Sequence, residues 1–513
     1  MSLLWDLNRT IPEIFEGKSV FITGGSGFIG KVLIEKLLRS CPGIKNIYVL
    51  VRPKKNKNIQ ERVEALFDVP LFDQLKADNI AIIKRVIGVE GDITKVNLGM
   101  NESDTTIILD NVSIIYHIAA SVRFNDFLKS AIFANTRSTR EVISLAKQCA
   151  SLDVFVYCST AYSNFDQHVI EEKVYPPIHD WRIAIEMAET YDDMTLQVLT
   201  EKFINPLPNT YTFTKRMAEQ LVIDLCTNQI PAIITRPSIV LPSSNDPIDG
   251  WVDNFNGPMS INLLAGKGLV KVIYGDEDSE QDYVFVDNTA KSLVIAAWKK
   301  IIQTDKSKIE VYNIASDMNS TNKFMRDEGN KIISKNPPES YLWAADAAFV
   351  KSSDVFFIAT LIYHLMPAII LDLIMRLTGR KPKFFKIYRM FYVANLALYI
   401  FMSKTVDIRC ENYVALENSL LKYDRRSFSF IDSRVRPNST GTKEGYTVFW
   451  RGIKQFLLNE KAHATESEIK KYEWVMFLQK MVFLAVKGSI IYFILLRLFS
   501  ASITSQVNGI TDI

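Results

Sequence analysis

Cysteine and histidine are scarce in this chain, which has five of each among 513 residues. The cysteines form no CxxC pair and lie scattered at Cys41, Cys149, Cys158, Cys226 and Cys410. This pattern excludes a disulfide framework and the usual zinc sites, and it favours a reducing compartment. The histidines are equally dispersed, so the sequence predicts no bound metal.

An excess of charge of one sign is also missing. Lys and Arg total 60 against 57 Asp and Glu, a formal net charge of +3, which excludes a strongly basic nucleic-acid binder. A local basic patch for an anionic ligand remains compatible with this balance. The first 18 residues carry charges among their apolar residues, so they do not resemble a signal peptide.

Residues 18–240 alternate short apolar runs with longer amphipathic stretches. Near-continuous apolar strands separated by helices are typical of a parallel sheet that is covered on both faces. We therefore expect an α/β fold with a Rossmann-type, doubly wound parallel sheet. The predicted strands are Ser19–Thr23, Asn46–Val51, Val86–Val89, Ser113–His117, Val154–Tyr157 and Pro231–Thr235. Residues 241–350 are more irregular, and we expect them to form a small substrate lobe.

The first predicted strand ends in a glycine-rich turn, TGGSGFIG. Gly24 permits the tight turn, Gly27 lets a pyrophosphate approach the backbone, and Gly30 allows the following helix to pack closely on the sheet. The start of that helix offers free N–H groups and a positive dipole to phosphates. A purely structural glycine turn is the alternative, but the strand–turn–helix context favours a dinucleotide site.

Cations follow the second strand, at Arg52 and Lys54, where NAD sites usually place an acid. They suit a 2′-phosphate and favour NADPH, the alternative being a solvated basic loop. Asp92 follows the third strand and could accept a hydrogen bond from the adenine amine. The predicted cofactor-binding residues are Thr23, Gly24, Gly27, Phe28, Ile29, Gly30, Arg52, Lys54, Asp92, Ile93, Ala119, Ala120, Tyr211, Lys215, Pro237 and Ile239.

Tyr211 and Lys215 form a YxxxK pair between the fifth and sixth strands. On a helix these positions share one face, so phenol and ammonium can meet in one site. The lysine cation is expected to lower the pKa of the tyrosine towards neutrality, as acid–base catalysis requires. Ser159 and Thr160 end the fifth strand, and either hydroxyl could bond a substrate oxygen as charge develops. Thr160 is favoured, with Ser159 the alternative.

Cys158 adjoins these hydroxyls and is considered as a thioester-forming nucleophile. Its neighbours in sequence are apolar or hydroxylic, and no adjacent His or Lys lowers its pKa. A buried structural cysteine and direct hydride delivery to the substrate are therefore the favoured interpretation.

Taken in order, these motifs resemble the alcohol-forming fatty acyl-CoA reductase family. The segments TGGSGFIGKVLIEKLLRS, HIAASVRFND, CSTAYSN, NTYTFTK, TRPSIV and GWVDNFNGP carry the resemblance, and YHLMPAIILDLIMRLTGRKP is similar to the family's C-terminal, sterile-type domain. The resemblance implies NADPH-dependent reduction of a long-chain fatty acyl-CoA to a primary alcohol, with release of coenzyme A and a bound aldehyde. Tyr211, Lys215 and Thr160 or Ser159 would then be catalytic.

Three regions are expected: a reductase domain at 1–350, a mostly helical C-terminal domain at 351–465, and an apolar membrane anchor at 470–500. Met481–Phe499 contains 19 residues, close to the ~20 that span a bilayer, and lysines precede it. This arrangement places the catalytic domain in the cytosol, with the endoplasmic reticulum favoured over the peroxisome. Val355–Leu377 contains His364, Pro367 and Asp372, so we expect it to be buried or to lie at the membrane interface. A homodimer is left open.

Two alternatives remain at this point. Another extended reductase, such as a hydroxysteroid dehydrogenase or a nucleotide-sugar epimerase, would share the glycine turn and the YxxxK pair. A catalytically silent lipid-binding protein on a reductase fold is the second, and the intact set of hydroxyl, tyrosine and lysine argues against it. The acidic insert between Ser163 and Asn209 either covers an acyl channel or is a solvated excursion.

Overall fold

The computed structural model describes residues 9–53, 58–315, 320–430 and 443–508. Its centre is a seven-stranded parallel sheet with the order β7-β6-β5-β4-β1-β2-β3. The strands are β1 (Ser19–Thr23), β2 (Asn46–Val51), β3 (Val86–Glu90), β4 (Val112–His117), β5 (Val154–Cys158), β6 (Ala232–Pro237) and β7 (Glu310–Ile314). The Rossmann-type prediction is confirmed. β7 was not predicted, and it brings part of the expected substrate lobe into the main sheet.

Strand order reverses at β1, which pairs with β2 on one side and with β4 on the other. Thr23, the last residue of β1, lies beside Leu50 of β2 and His117 of β4. In open parallel sheets, ligands bind outside the carboxyl ends of the strands at such a reversal. The fold therefore places a ligand crevice next to the glycine turn.

Three helices pack on the sheet, and three others are long, apolar helices of the C-terminal region. They are α1 (Phe28–Ser40), α2 (Thr210–Cys226), α3 (Val286–Ile302), α4 (Ser353–Leu377, with a π-helical turn at Leu361–Leu365), α5 (Phe384–Met402) and α6 (Glu466–Asn508). The other α-helices are Ile11–Phe15, Ile59–Phe67, Asp73–Asn79, Glu102–Asn111, Leu128–Ala131, Ser138–Ala146, Trp181–Thr190, Asp193–Ile204, Pro258–Gly266, Asn322–Lys335, Glu411–Ser419, Arg425–Phe428 and Lys443–Gly452.

The sheet is covered on both faces. α1 and α3 pack side by side on one face, and the carboxylate of Asp246 joins them, because it accepts a hydrogen bond from Lys36 at 2.9 Å and pairs with Lys291 at 3.2 Å. α2 packs on the opposite face with the helix Ser138–Ala146. Most strand residues between these layers are buried, as expected for a sheet with two covered faces, whereas the edge strand β3 exposes Ile87 and Glu90.

Short paired strands connect the outlying segments to this core. Val169–Ile170 pairs with Asp407–Ile408, Ile239–Leu241 with Tyr283–Phe285, Val272–Tyr274 with Ala348–Val350, and Glu280–Gln281 with Ser320–Thr321. The first of these pairs joins the insert that follows β5 to the C-terminal region. The insert itself folds into the helices Trp181–Thr190 and Asp193–Ile204, so part of its surface is packed and part is solvated.

Within the described residues, α4, α5 and the stretch Glu466–Leu496 of α6 are long and apolar enough to cross a membrane. Of the two expectations for residues 355–377, burial is wrong, because large apolar side chains of α4 such as Ile370 and Leu377 are exposed, while a position at the membrane interface stays a prediction. Its polar residues are accommodated by the protein. His364 accepts a hydrogen bond from the backbone N–H of Lys271 at 3.0 Å, and Asp372 accepts those of Phe384 and Phe385, both at 2.9 Å.

Candidate active site

The glycine turn has the geometry expected of a phosphate cradle. Gly24 has a φ of +80°, and a Cβ at this position would lie 2.6 Å from the backbone N of Ala119. A Cβ on Gly30 would lie 2.6 Å from Cα of Gly25, so α1 can approach the turn only with glycine there. At Gly27, which caps α1, a Cβ would meet only the oxygen of Gly24, at 3.2 Å. The space before the helix start is therefore open, which fits a bound pyrophosphate.

Arg52 and Asp92 meet at the ends of β2 and β3. The Arg52 Nε lies 3.2 Å from an Asp92 carboxylate oxygen, while the arginine side chain is 60% exposed. Burial raises the pKa of Asp92, but hydrogen bonds from Thr94 and the Arg52 charge outweigh it and the net pKa is lowered. The site therefore offers one ionised carboxylate and one accessible cation, while Lys54 lies outside the described residues.

The remaining predicted cofactor residues fall into two groups. Thr23 is fully buried, and its hydroxyl lies 2.7 Å from His117 Nδ1, so this side chain supports the turn from below and does not face the crevice. Pro237 is buried as well. The side chains that remain partly exposed around the crevice are Phe28, Ile29, Ile93, Ala119, Ala120 and Ile239.

The catalytic candidates are held by the start of α2. Asn209 caps this helix by accepting a hydrogen bond from the backbone N–H of Thr212 at 2.9 Å. Tyr211 lies in the first turn, and Lys215 lies one turn further on the same face. The Lys215 ammonium donates to the carbonyl of Cys158 at 2.6 Å. This bond ties the helix to the end of β5, so the YxxxK pair and the predicted hydroxyls are brought together.

The expected lowering of the tyrosine pKa does not occur in this arrangement. Burial raises the pKa of Tyr211, the Cys158 thiol adds to the rise, and only a hydrogen bond with the Thr160 hydroxyl opposes it. Burial also lowers the pKa of Lys215 to about 8. One of the three ammonium protons of Lys215 is donated to the Cys158 carbonyl. With its pKa raised, the Tyr211 phenol is protonated at neutral pH.

The structure separates the two candidate hydroxyls. The Ser159 hydroxyl donates to the Glu219 carboxylate at 2.5 Å and lies inside the protein. The Thr160 hydroxyl lies close enough to Tyr211 to lower the pKa of its phenol, and it accepts the backbone N–H of Tyr162 at 3.3 Å. Thr160 is therefore the candidate hydroxyl on the side of the tyrosine, and its catalytic role stays a prediction.

Glu219 is a site residue that the sequence reasoning missed. Its carboxylate is 1% exposed and accepts hydrogen bonds from Ser163 at 2.9 Å and from Arg236 at 2.6 Å and 2.9 Å, besides Ser159. Arg236 therefore faces inward and does not abut the crevice. The spacing Tyr211, Lys215, Glu219 is i, i+4, i+8 and could have indicated one continuous helix face.

Asn135 is a second residue that the sequence did not reveal. It is buried in the π-helix Ile132–Arg137, and its amide bonds with Ser121 N at 2.8 Å, Ser121 O at 3.1 Å and Thr214 Oγ1 at 2.9 Å. Asn135 thereby fixes the segment after β4 against α2. π-Helical turns are frequent at functional sites, but sequence periodicity does not reveal them.

Cys158 is a structural residue in this arrangement. It is buried, and burial raises the pKa of its thiol even though the nearby Lys215 charge opposes the rise. A neutral, buried thiol is a poor nucleophile, which agrees with the favoured interpretation.

A parallel sheet with a glycine turn and a Tyr–Lys pair beside a threonine hydroxyl defines a dinucleotide-binding oxidoreductase of the short-chain reductase type. Residues 22–293 match an NAD-binding family model described as Male sterility protein, and residues 363–460 match a second model, Sterile, with the same description. The chain is 37% identical over 456 residues to fatty acyl-CoA reductase 1 of Homo sapiens, covering 88% of this chain and 87% of that one. It is 33% identical over 491 residues to fatty acyl-CoA reductase wat of Drosophila melanogaster, covering 94% and 93%. The chain belongs to the fatty acyl-CoA reductase family.

Solved structures show the same fold. The reductase domain of a nonribosomal peptide synthetase from Mycobacterium tuberculosis aligns with a TM-score of 0.58 and 15% identity, covering 89% of this chain and 95% of that chain. The terminal R domain of the myxalamid pathway aligns with a TM-score of 0.53 and 18% identity, covering 81% and 91%. At such identities the likeness concerns the fold alone.

Proposed function

We propose that this enzyme reduces long-chain fatty acyl-CoA to primary fatty alcohol with NADPH, releasing coenzyme A through a bound aldehyde. The observation that carries the proposal is the 2.6 Å bond from Lys215 to the Cys158 carbonyl, which brings the helix that carries Tyr211 to the carboxyl end of β5, where Thr160 follows. Two hydroxyls at this edge can share one substrate oxygen. The curated relatives, which are named fatty acyl-CoA reductases, supply the substrate class.

Bound NADPH supplies the hydride, once to the thioester carbonyl and once to the aldehyde. Thr160 donates a hydrogen bond to the substrate oxygen as negative charge develops on it. Tyr211 gives its proton to that oxygen, which completes the hemithioacetal in the first half, and after the phenolate has taken up a proton from solvent it completes the alcohol in the second. Between the halves, the hemithioacetal hydroxyl loses its proton and the carbon–sulfur bond breaks, so coenzyme A leaves as a thiol and an aldehyde remains.

Lys215 positions these groups. Its bond to the Cys158 carbonyl fixes the distance between α2 and the end of β5, where Thr160 begins the next segment. Its charge lies in a buried environment, where it can hold the ribose hydroxyls of the dinucleotide and orient the substrate face presented to Tyr211.

The preference for NADPH over NADH rests on Arg52. Its exposed guanidinium lies at the end of β2, where the adenosine ribose is bound in this fold. A 2′-phosphate there would pair with a cation that Asp92 already orients. The glycine turn alone fits either dinucleotide.

We propose that α6 crosses a membrane and that α4 and α5 lie against it. α6 is anchored to the body by Tyr472, which accepts the N–H of Ala345 at 2.7 Å, and by Gln479, which lies 3.3 Å from Lys271 Nζ. Beyond Gln479 its large apolar side chains, such as Leu484 and Ile491, are exposed. Lys271 also donates its backbone N–H to His364 of α4. The two apolar helices α4 and α6 therefore contact the rest of the protein at the same residue. The positive-inside rule then puts the reductase in the cytosol.

Product analysis of the full-length protein in liposomes tests the proposal. With NADPH and a saturated long-chain acyl-CoA, we expect a primary alcohol and free thiol, with two NADPH consumed for each alcohol. Tyr211→Phe should lower turnover at least about 100-fold, as loss of a general acid does, while NADPH binding stays near wild type. Tyr116→Phe is the matched control, because it removes a buried phenol hydroxyl that has no hydrogen-bond partner among the described residues. Normal turnover in Tyr211→Phe, or no alcohol from the wild type, would overturn the proposal.

A further inference from the structure

An aromatic cluster links the C-terminal region to the catalytic tyrosine. Phe401, near the end of α5, has its ring centroid 5.0 Å from that of Phe124, 4.9 Å from Phe165 and 5.5 Å from Tyr162. Phe124 in turn lies 5.7 Å from the ring of Tyr211. One ring therefore separates a helix of the sterile-type region from the proton donor.

Phe401 is held firmly in this place. Immediately after α5, Lys404 donates to the carbonyl of Phe165 at 2.5 Å and lies 4.8 Å above its ring. Asp407–Ile408 then pairs with Val169–Ile170 as parallel strands. The segment that follows β5 thus holds the end of α5 in place, so the ring of Phe401 stays packed one ring away from Tyr211.

The outward face of α5 is an apolar stripe. Met390, Val393, Leu396 and Ile400 are 41–61% exposed and recur every three or four residues, which places them on one side of the helix. The stripe runs roughly 15 Å along the helix at 1.5 Å per residue and ends beside Phe401. The exposed apolar stripe therefore ends at Ile400, the sequence neighbour of the buried Phe401.

We propose that Phe401 contacts the acyl chain and sets the chain-length preference, with the hydrocarbon running from the stripe on α5 past Phe401 and Phe124 towards Tyr211. The inference rests on the proposed function and deepens it. The cluster is aromatic, and the ammonium of Lys404 beside it is engaged by the Phe165 carbonyl. Such a surface suits methylene groups and disfavours a sugar nucleotide.

The test compares Phe401→Ala with Phe391→Ala in the full-length protein. Phe391 is an equally buried ring on the same helix, but it packs against His364, with centroids 5.7 Å apart, and not against the active-site cluster. kcat/KM is measured over acyl-CoA chains from short to long, together with NADPH affinity. Phe401→Ala should lower the long-to-short ratio of kcat/KM about tenfold, as expected for the loss of one buried aromatic contact. Phe391→Ala should leave that ratio unchanged.

Two conservative variants keep the test decisive if the alanine variant fails to fold. Phe401→Trp should move the optimum to shorter chains, and Phe401→Leu should stay near wild type. Equal changes at all chain lengths, or an unchanged optimum in Phe401→Trp, would overturn the role of Phe401 while leaving the proposed function intact. Failure of the wild type to reduce any acyl-CoA would instead overturn the proposed function.

Discussion

Replacing Glu219 by Ala should destabilise this protein more than any exposed charge change. Glu219 and Arg236 form an ion pair whose side chains are 2% and 0% exposed. Removal of the carboxylate leaves the guanidinium buried with two carbonyls, those of Glu171 and Lys173, and the ring of Tyr175 at 6.0 Å as its partners among the described residues. An uncompensated buried charge of this kind costs about 3–5 kcal/mol. The hydroxyls of Ser159 and Ser163 would lose their acceptor as well.

The decrease in the free energy of unfolding is measured by urea-dependent pulse proteolysis of the detergent-solubilised full chain. Asp249→Ala is the control, since Asp249 pairs with Arg451 at 3.4 Å while 62% of its side chain is exposed, and such pairs contribute about 0–1 kcal/mol. The double variant Glu219→Leu/Arg236→Met leaves no charge unpaired and should recover part of the stability. A cost for Glu219→Ala no larger than that for Asp249→Ala would refute the reasoning.

Three further outcomes are expected. Arg52→Ala should weaken NADPH binding about 10- to 100-fold by fluorescence titration, through loss of a charge-assisted bond, and should leave NADH binding unchanged; equal effects would contradict a 2′-phosphate contact. Turnover should fall as the pH rises through about 8, where Lys215 loses its proton, and Lys215→Arg should abolish that alkaline limb; an identical limb in the variant would assign it to another group. A truncated protein that lacks residues 481–513 keeps the contacts of Tyr472 and Gln479. Carbonate should release this truncated protein from membranes, whereas the full-length protein should resist carbonate. Resistance of the truncated protein would show that α4 or α5 spans.

The sheet was largely readable from the sequence because its strands are short, almost continuous apolar runs. Five of the six predicted strands agree with the structure to within one residue at each end, and Pro231–Thr235 is shifted to Ala232–Pro237. β7 escaped because Glu310–Ile314 reads EVYNI, in which a carboxylate and an amide interrupt the apolar pattern. Glu310 pairs with Lys300 at 2.7 Å, and Asn313 bonds with Ile170 O. These partners come from elsewhere in the fold, so local pattern could not supply them.

In the candidate site, too, the sequence revealed residues with local signals and missed those with distant partners. Tyr211 and Lys215 form a motif whose spacing is local, and Thr160 was recognised because it follows a strand that the sequence predicts. Glu219 and Phe401 were missed because their roles depend on partners distant in sequence. Glu219 pairs with Arg236, which lies on β6. Phe401 lies at the end of α5 and contacts Phe124, which is far from it in the sequence. Likewise, His364 and Asp372 disfavoured a lipid-facing span at α4 in the sequence, whereas the structure shows that each already has protein partners.

The contacts of Glu172 explain why the C-terminal region cannot be separated from the reductase by composition alone. This carboxylate accepts backbone N–H groups of Asn313 at 2.9 Å, of Tyr413 at 3.0 Å and of Asn412. Burial nevertheless raises the pKa of Glu172 to about 7, so its ionised form is costly even with three donors. Two of those donors come from beyond residue 350. On the other side of the protein, Asp424 accepts the N–H of Ile11 at 3.1 Å. The buried core therefore continues across the boundary predicted at 350, and this continuity lets α5 present Phe401 to the catalytic site in a fixed position.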